Sequence, residues 1–156
     1  MTDMEHDFER TIERIAQCRL SAQYSEAQKL ISLVSRTHSS PSVLQRNITA
    51  IEKSELLTNL GFHRRTETTL RKAIRVSSNH LGNGPSFDLA GWSHAVLLGN
   101  MAFVQFHTKG KVSEALRIEA ELRKKFLEET TSDGSKIGLY VIPWLNVTDS
   151  TVESEA

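Results

Sequence analysis

With 156 residues, 38% hydrophobic and 24% charged, the chain has the length and composition of one globular domain with room for a real core. Lys plus Arg equals Asp plus Glu at 19 each, which argues against a general nucleic-acid binder, whose affinity comes largely from a basic excess that neutralises phosphates. No apolar run approaches the ~20 residues that span a bilayer, and Met1-Thr-Asp-Met-Glu-His-Asp7 is too polar and acidic to open a secretory signal, so no membrane insertion and a cytoplasmic or nuclear location are expected.

In chain order, Phe8, Ile12, Ile15 and Ala16 fall on one side of a helix over about 7–20. A turn at Ala22 leads to a second helix over 24–37, with Ala27, Leu30, Ile31 and Val34 as its apolar stripe. His38-Ser-Ser-Pro41 ends it, because proline disfavours helical geometry in the residue before it and suits the first turn of the next helix. A third helix, 42–60, carries Leu44, Ile48, Ile51, Leu56, Leu57 and Leu60, and Gly61 turns the chain into a fourth, 64–80, with Leu70, Ala73 and Ile74. After the turn-rich Leu81-Gly-Asn-Gly-Pro85, a fifth helix over 87–108 is the most apolar, from Leu89 and Trp92 to Phe103 and Phe106, and is expected to touch neighbours on more than one side. Gly110 opens a sixth helix, 112–129, striped by Ala115, Ile118, Leu122 and Phe126.

Residues 131–148 read as a linker followed by an apolar segment, and 149–156 as a disordered acidic tail. Leu139 to Leu145 is too apolar to stay uncovered, so it is expected either to cap the last hairpin or to enter a second chain, which includes self-association.

One phrase recurs through the helical part: Ala22-Gln-Tyr-Ser-Glu-Ala27, Gly61-Phe-His-Arg-Arg-Thr66 and Gly110-Lys-Val-Ser-Glu-Ala115. Each has a small residue at a tight turn and another five positions later, one turn into the next helix, where two helices can approach closely.

Signals of chemistry are weaker. None of the six histidines forms a His-x-x-x-His pair or stands at finger spacing from the lone Cys18, so neither a metal nor any other cofactor is expected. Gly91-Trp-Ser-His94 lacks the second glycine and the preceding strand of a nucleophile elbow, and reads as a helix start with Trp92 in the core. His63-Arg-Arg with Arg71, Lys72 and Arg75 reads as the solvated face of the fourth helix. Asn100, inside an apolar helix, must find a hydrogen-bond partner, either in a neighbouring helix or in a bound peptide.

From Leu70-Arg-Lys-Ala-Ile-Arg-Val through His80-Leu-Gly-Asn-Gly-Pro85, Gly99-Asn-Met-Ala102 and Gly110-Lys-Val-Ser-Glu-Ala115, the chain resembles the tetratricopeptide repeat in its kinesin-light-chain-like form. The resemblance spans about residues 8–129 and is closest over 61–116. The copies are unequally spaced, Ala22 stands at the first turn and Thr66 at the second small position, and the third first-helix carries one extra residue between Ala102 and Gly110. The resemblance implies an all-α domain over 7–130, a right-handed superhelix of three diverged antiparallel helical hairpins, with the apolar C-terminal segment as its cap. It implies a non-enzymatic adaptor that binds a protein or peptide on the concave surface lined by the first helix of each pair. The groove is then expected to be lined by Glu13, Gln17, Glu52, Glu55, Asn59, Asn100 and His107, with no catalytic residue. Three of these are acidic and only the histidine can become basic, so a segment carrying Lys or Arg is favoured. Two alternatives stay open: a small-molecule binder or enzyme with a closed pocket using His107, His94 and Glu55, and a subunit whose tail docks on a larger assembly.

Overall fold

The computed structural model describes residues 3–37, 41–81 and 89–126. Among them all regular structure is helical: α1 (Asp3–Leu20), α2 (Tyr24–Thr37), α3 (Val43–Asn59), α4 (His63–Leu81), α5 (Leu89–Phe106) and α6 (Val112–Phe126). The expected linker, the apolar segment Leu139–Leu145 and the acidic tail lie outside the described residues, as does the side chain of Trp92.

The boundaries follow from local chemistry. Behind Pro41, Ser42 caps α3 in a reciprocal box: its hydroxyl accepts from the Gln45 backbone N–H at 3.1 Å, and the Gln45 side chain accepts from the Ser42 N–H at 3.0 Å. α1 starts at Asp3, earlier than the periodicity indicates, because the apolar stripe that marks the helix begins only at Phe8.

The three turn residues adopt left-handed backbone, with φ of 60° at Ala22, 81° at Gly61 and 84° at Gly110. The first two turns close identically. The N–H after each turn residue reaches back five positions, Gln23 to the Cys18 carbonyl at 2.7 Å and Phe62 to that of Leu57 at 2.9 Å, while Ala22 and Gly61 themselves bond three positions back. The third differs, with Lys111 N–H bonding the Thr108 carbonyl at 3.1 Å. In all three copies the residue after the turn accepts from the small residue of the following helix, at 3.1 Å from Ala27, 3.0 Å from Thr66 and 3.1 Å from Ala115.

Those small residues are buried where paired helices meet. α1 packs on α2, α3 on α4 and α5 on α6, and α3 joins the pairs by touching α1, α2 and α5. Its two sides feed two cores: Leu56 joins Phe8, Ile15, Leu30 and Val34, while Ile51 joins Leu70, Leu97, Met101 and Leu122. α5 meets α3, α4 and α6, in keeping with its apolar breadth. A tryptophan at Ala115 must therefore push α5 and α6 apart, at an expected cost of ~1–3 kcal/mol. Urea denaturation of Ala115→Trp should show that loss, and Ala120→Trp, on an exposed position of the same helix, should show none.

Glu67 ties α4 to the third turn. It accepts from Lys111 Nζ at 2.6 Å and from Arg71 Nη2 one helical turn away. Burial pushes its carboxyl up, but the hydrogen bonds and charges of Lys111 and Arg71 outweigh that and hold it below the usual carboxylate value.

Candidate functional site

The first helices of the three pairs lie side by side, α3 against both α1 and α5. On this side a cavity of about 260 Å³ is lined by Arg19 of α1, by Ser54, Glu55, Thr58 and Asn59 of α3, and by Asn100, Phe103 and Val104 of α5. Helical spacing builds it: Glu55 and Asn59 stand four residues apart along α3, and Asn100 and Phe103 three apart along α5, while Glu52 and His107, one further step along the same faces, do not line it.

Its electrostatic centre is Arg19, which sequence reasoning did not single out. The guanidinium reaches from α1 to α3, with Nη2 2.9 Å from Glu55 Oε2 and Nε 3.5 Å from Glu52 Oε2. The first is a close ion pair and the second a longer one, and Arg19 Nε and Glu52 Oε2 are buried with no hydrogen-bond partner among the described residues. Two carboxylates thus share one cation. Burial pushes both carboxyls above their usual value; the Glu55 charge adds to the rise at Glu52, and Arg19 opposes it at both.

Asn100 finds the inter-helix partner its position demands: Nδ2 donates to Ser54 Oγ at 3.4 Å, and Ser54 in turn donates to the Ile51 carbonyl at 2.8 Å. Asn100 also faces the cavity, so it both joins α5 to α3 and presents a polar group there. Asn59 is exposed on the cavity lip. His107 is exposed at the end of α5, edge-on to Phe103 at 4.6 Å and Phe106 at 5.4 Å between ring centres. Glu13 and Gln17 are exposed on α1 and do not line the cavity. They project from the helix roughly 120–160° away from Arg19, at 100° per residue, whereas Arg19 takes the side that meets α3.

The groups of the closed-pocket alternative stand apart. His94 and His107 are thirteen residues, about 20 Å, apart along α5. His94 Nδ1 lies 2.9 Å from Ser77 Oγ, but Ser77 is fully buried, so this Ser–His pair meets no substrate. The pair belongs to a core network in which Asn47 Nδ2 donates to Ser77 Oγ and to Ser93 Oγ, each at 3.0 Å. Among the described residues no three His, Cys, Asp or Glu side chains gather as metal ligands, and no helix is long and apolar enough to cross a membrane.

No protein-family model matches the chain, and neither a curated protein nor a solved structure matches it.

Proposed function

We propose that the chain is a non-enzymatic interaction module of the cytoplasm or nucleus, a diverged tetratricopeptide-like array that holds a peptide segment on the side formed by α1, α3 and α5. The observation that carries this reading is the excess of negative charge beside the cavity: Glu55 lines it, Glu52 lies on the other side of Arg19, both are partly desolvated, and the one cation faces two carboxylates. A Lys or Arg of an incoming segment would meet Glu55 in the cavity, relieve the excess negative charge and reach Asn59 and Asn100 beside it. The repeated turn geometry at Ala22, Gly61 and Gly110 and the buried small residues after each support the hairpin array itself.

Fluorescence anisotropy with an array of labelled dodecapeptides tests the proposal. Peptides with one Lys or Arg among apolar residues should bind better than the same peptides with Glu, and Glu55→Gln should weaken them about tenfold, the effect of one charge-assisted hydrogen bond. A preference for the Glu peptides, or affinities untouched by Glu55→Gln in a variant with an unchanged circular dichroism spectrum, rejects the reading.

A further inference from the structure

The side away from that cavity carries a second, oppositely charged surface. Between α2 and α4, over the outward face of α3, two hollows of about 530 and 520 Å³ share Ser35 and Lys53 and so form one open trough. It follows α3 from Arg46 to Leu60, about 20 Å at 1.5 Å per residue. Its floor is apolar: Val34, Ala50, Ala73 and Val76 at one end, Ile31, Leu56 and Leu57 at the other.

Every charged residue lining the trough among the described residues is a cation: Arg46, Lys53 and Lys72 around the first hollow, Arg36, Arg65 and again Lys53 around the second. The chain as a whole is neutral, so this is segregation of charge and not a general basic character. The side chains of Arg46, Lys53 and Lys72 are exposed and have neither ion pair nor hydrogen bond among the described residues. Arg65 covers the Phe62 ring at 5.4 Å, and Arg36 donates from Nε to the Ser32 carbonyl at 3.3 Å. Neither contact neutralises its charge.

We infer that this trough is a docking site for an acidic amphipathic helix of a partner protein, whose apolar stripe lies on the Ala50–Ala73 floor and whose Glu or Asp flanks meet Lys53, Lys72 and Arg46. A 20 Å track holds about thirteen helical residues, enough for anchors at i, i+3, i+4 and i+7. An extended basic segment suits the opposite side, so the module can bridge two partners of opposite charge. This site stands whether or not the α1–α3–α5 reading holds.

The test uses the full chain and three labelled designed peptides: an amphipathic helix with Leu at those anchor positions and Glu flanking them, the same helix with Lys for Glu, and a scramble of the acidic one. The acidic helix should bind, lose at least tenfold between 50 and 300 mM salt, and lose as much again on Lys53→Glu with Lys72→Glu. Ala73→Trp, which fills the floor and changes no charge, should also abolish binding, with circular dichroism melts verifying that each variant is folded. Equal binding of the scramble, or binding indifferent to these changes in folded variants, overturns the proposal. So does an affinity for the acidic helix that rises tenfold when Asp149 is changed to Asn and Glu153 and Glu155 to Gln, because the chain's own tail would then be the occupant.

Discussion

Replacing Asn47 by leucine is expected to cost about 2–4 kcal/mol at neutral pH, although the two side chains are close in volume. Asn47 is buried and commits both amide N–H groups to Ser77 Oγ in α4 and Ser93 Oγ in α5, at 3.0 Å each, so one side chain of α3 fixes the register of two neighbouring helices. Leucine removes both donors and takes one hydrogen bond from each of two fully buried hydroxyls, while placing apolar atoms against them. Ser77→Ala should cost less, because Asn47 then keeps its bond to Ser93. Urea denaturation read by far-ultraviolet circular dichroism gives both numbers. An Asn47→Leu protein as stable as the parent would show that packing alone sets the register.

That network also marks where the sequence stops being readable. The stripes were legible because each helix buries its own period: Ala27, Leu30, Ile31 and Val34 are all buried, as expected. The turns at Gly61 and Gly110 were legible because left-handed backbone favours glycine, which has no Cβ, and Ala22 was found only because the phrase around it repeats. Asn47 carries no such mark. Its partners lie 30 and 46 positions away, and a lone amide within a helix looks the same whether it faces water or two serines.

The candidate site divides along the same line. Glu55, Asn59 and Asn100 could be placed together because they share helix faces that must meet if α3 packs on α5. Which side of α1 turns toward α3 is set by how the first hairpin sits on the second, and no local pattern encodes that angle. Nothing local therefore marks Arg19, and Glu13 and Gln17, expected to line the groove, lie on other sides of α1 from the one that meets α3. The cations of α4 read as a solvated face. They are exposed, and Arg65 and Lys72 among them line a trough whose other wall comes from α2 and α3, more than thirty residues earlier in the case of Gln28 and Ser32.

Arg19→Met is expected to lower stability by about 2–3 kcal/mol at pH 7, and the loss should shrink on acidification. The side chains of Arg19 and Glu52 are 17% and 13% exposed and that of Glu55 is 35%, so removing the cation strands two poorly hydrated carboxylates. Burial already holds both carboxyls above their usual value, and Arg19 is what opposes that rise. Without it their folded-state pKa values climb further above those of the unfolded chain. A group whose pKa is raised by folding favours the native state when protonated, so its contribution is greatest below the unfolded value, about 4.3, and is lost as pH rises through the folded one. The deficit of Arg19→Met relative to the parent should therefore be full at pH 7 and mostly gone near pH 4. Glu52→Gln should have the opposite sign: it removes the less hydrated carboxylate, leaves Glu55 on Arg19, and should raise the melting temperature at pH 7, with the advantage fading toward pH 4 as Glu52 of the parent takes up its proton. Paired thermal melts of the three proteins at pH 7 and pH 4 decide the matter. A deficit of Arg19→Met that does not change with pH, or a Glu52→Gln protein less stable than the parent at pH 7, would mean that the second carboxylate serves the fold. A more stable Glu52→Gln protein would mean that the second carboxylate is kept at the expense of stability, as expected where excess negative charge leaves Glu55 able to receive a cation from outside the chain.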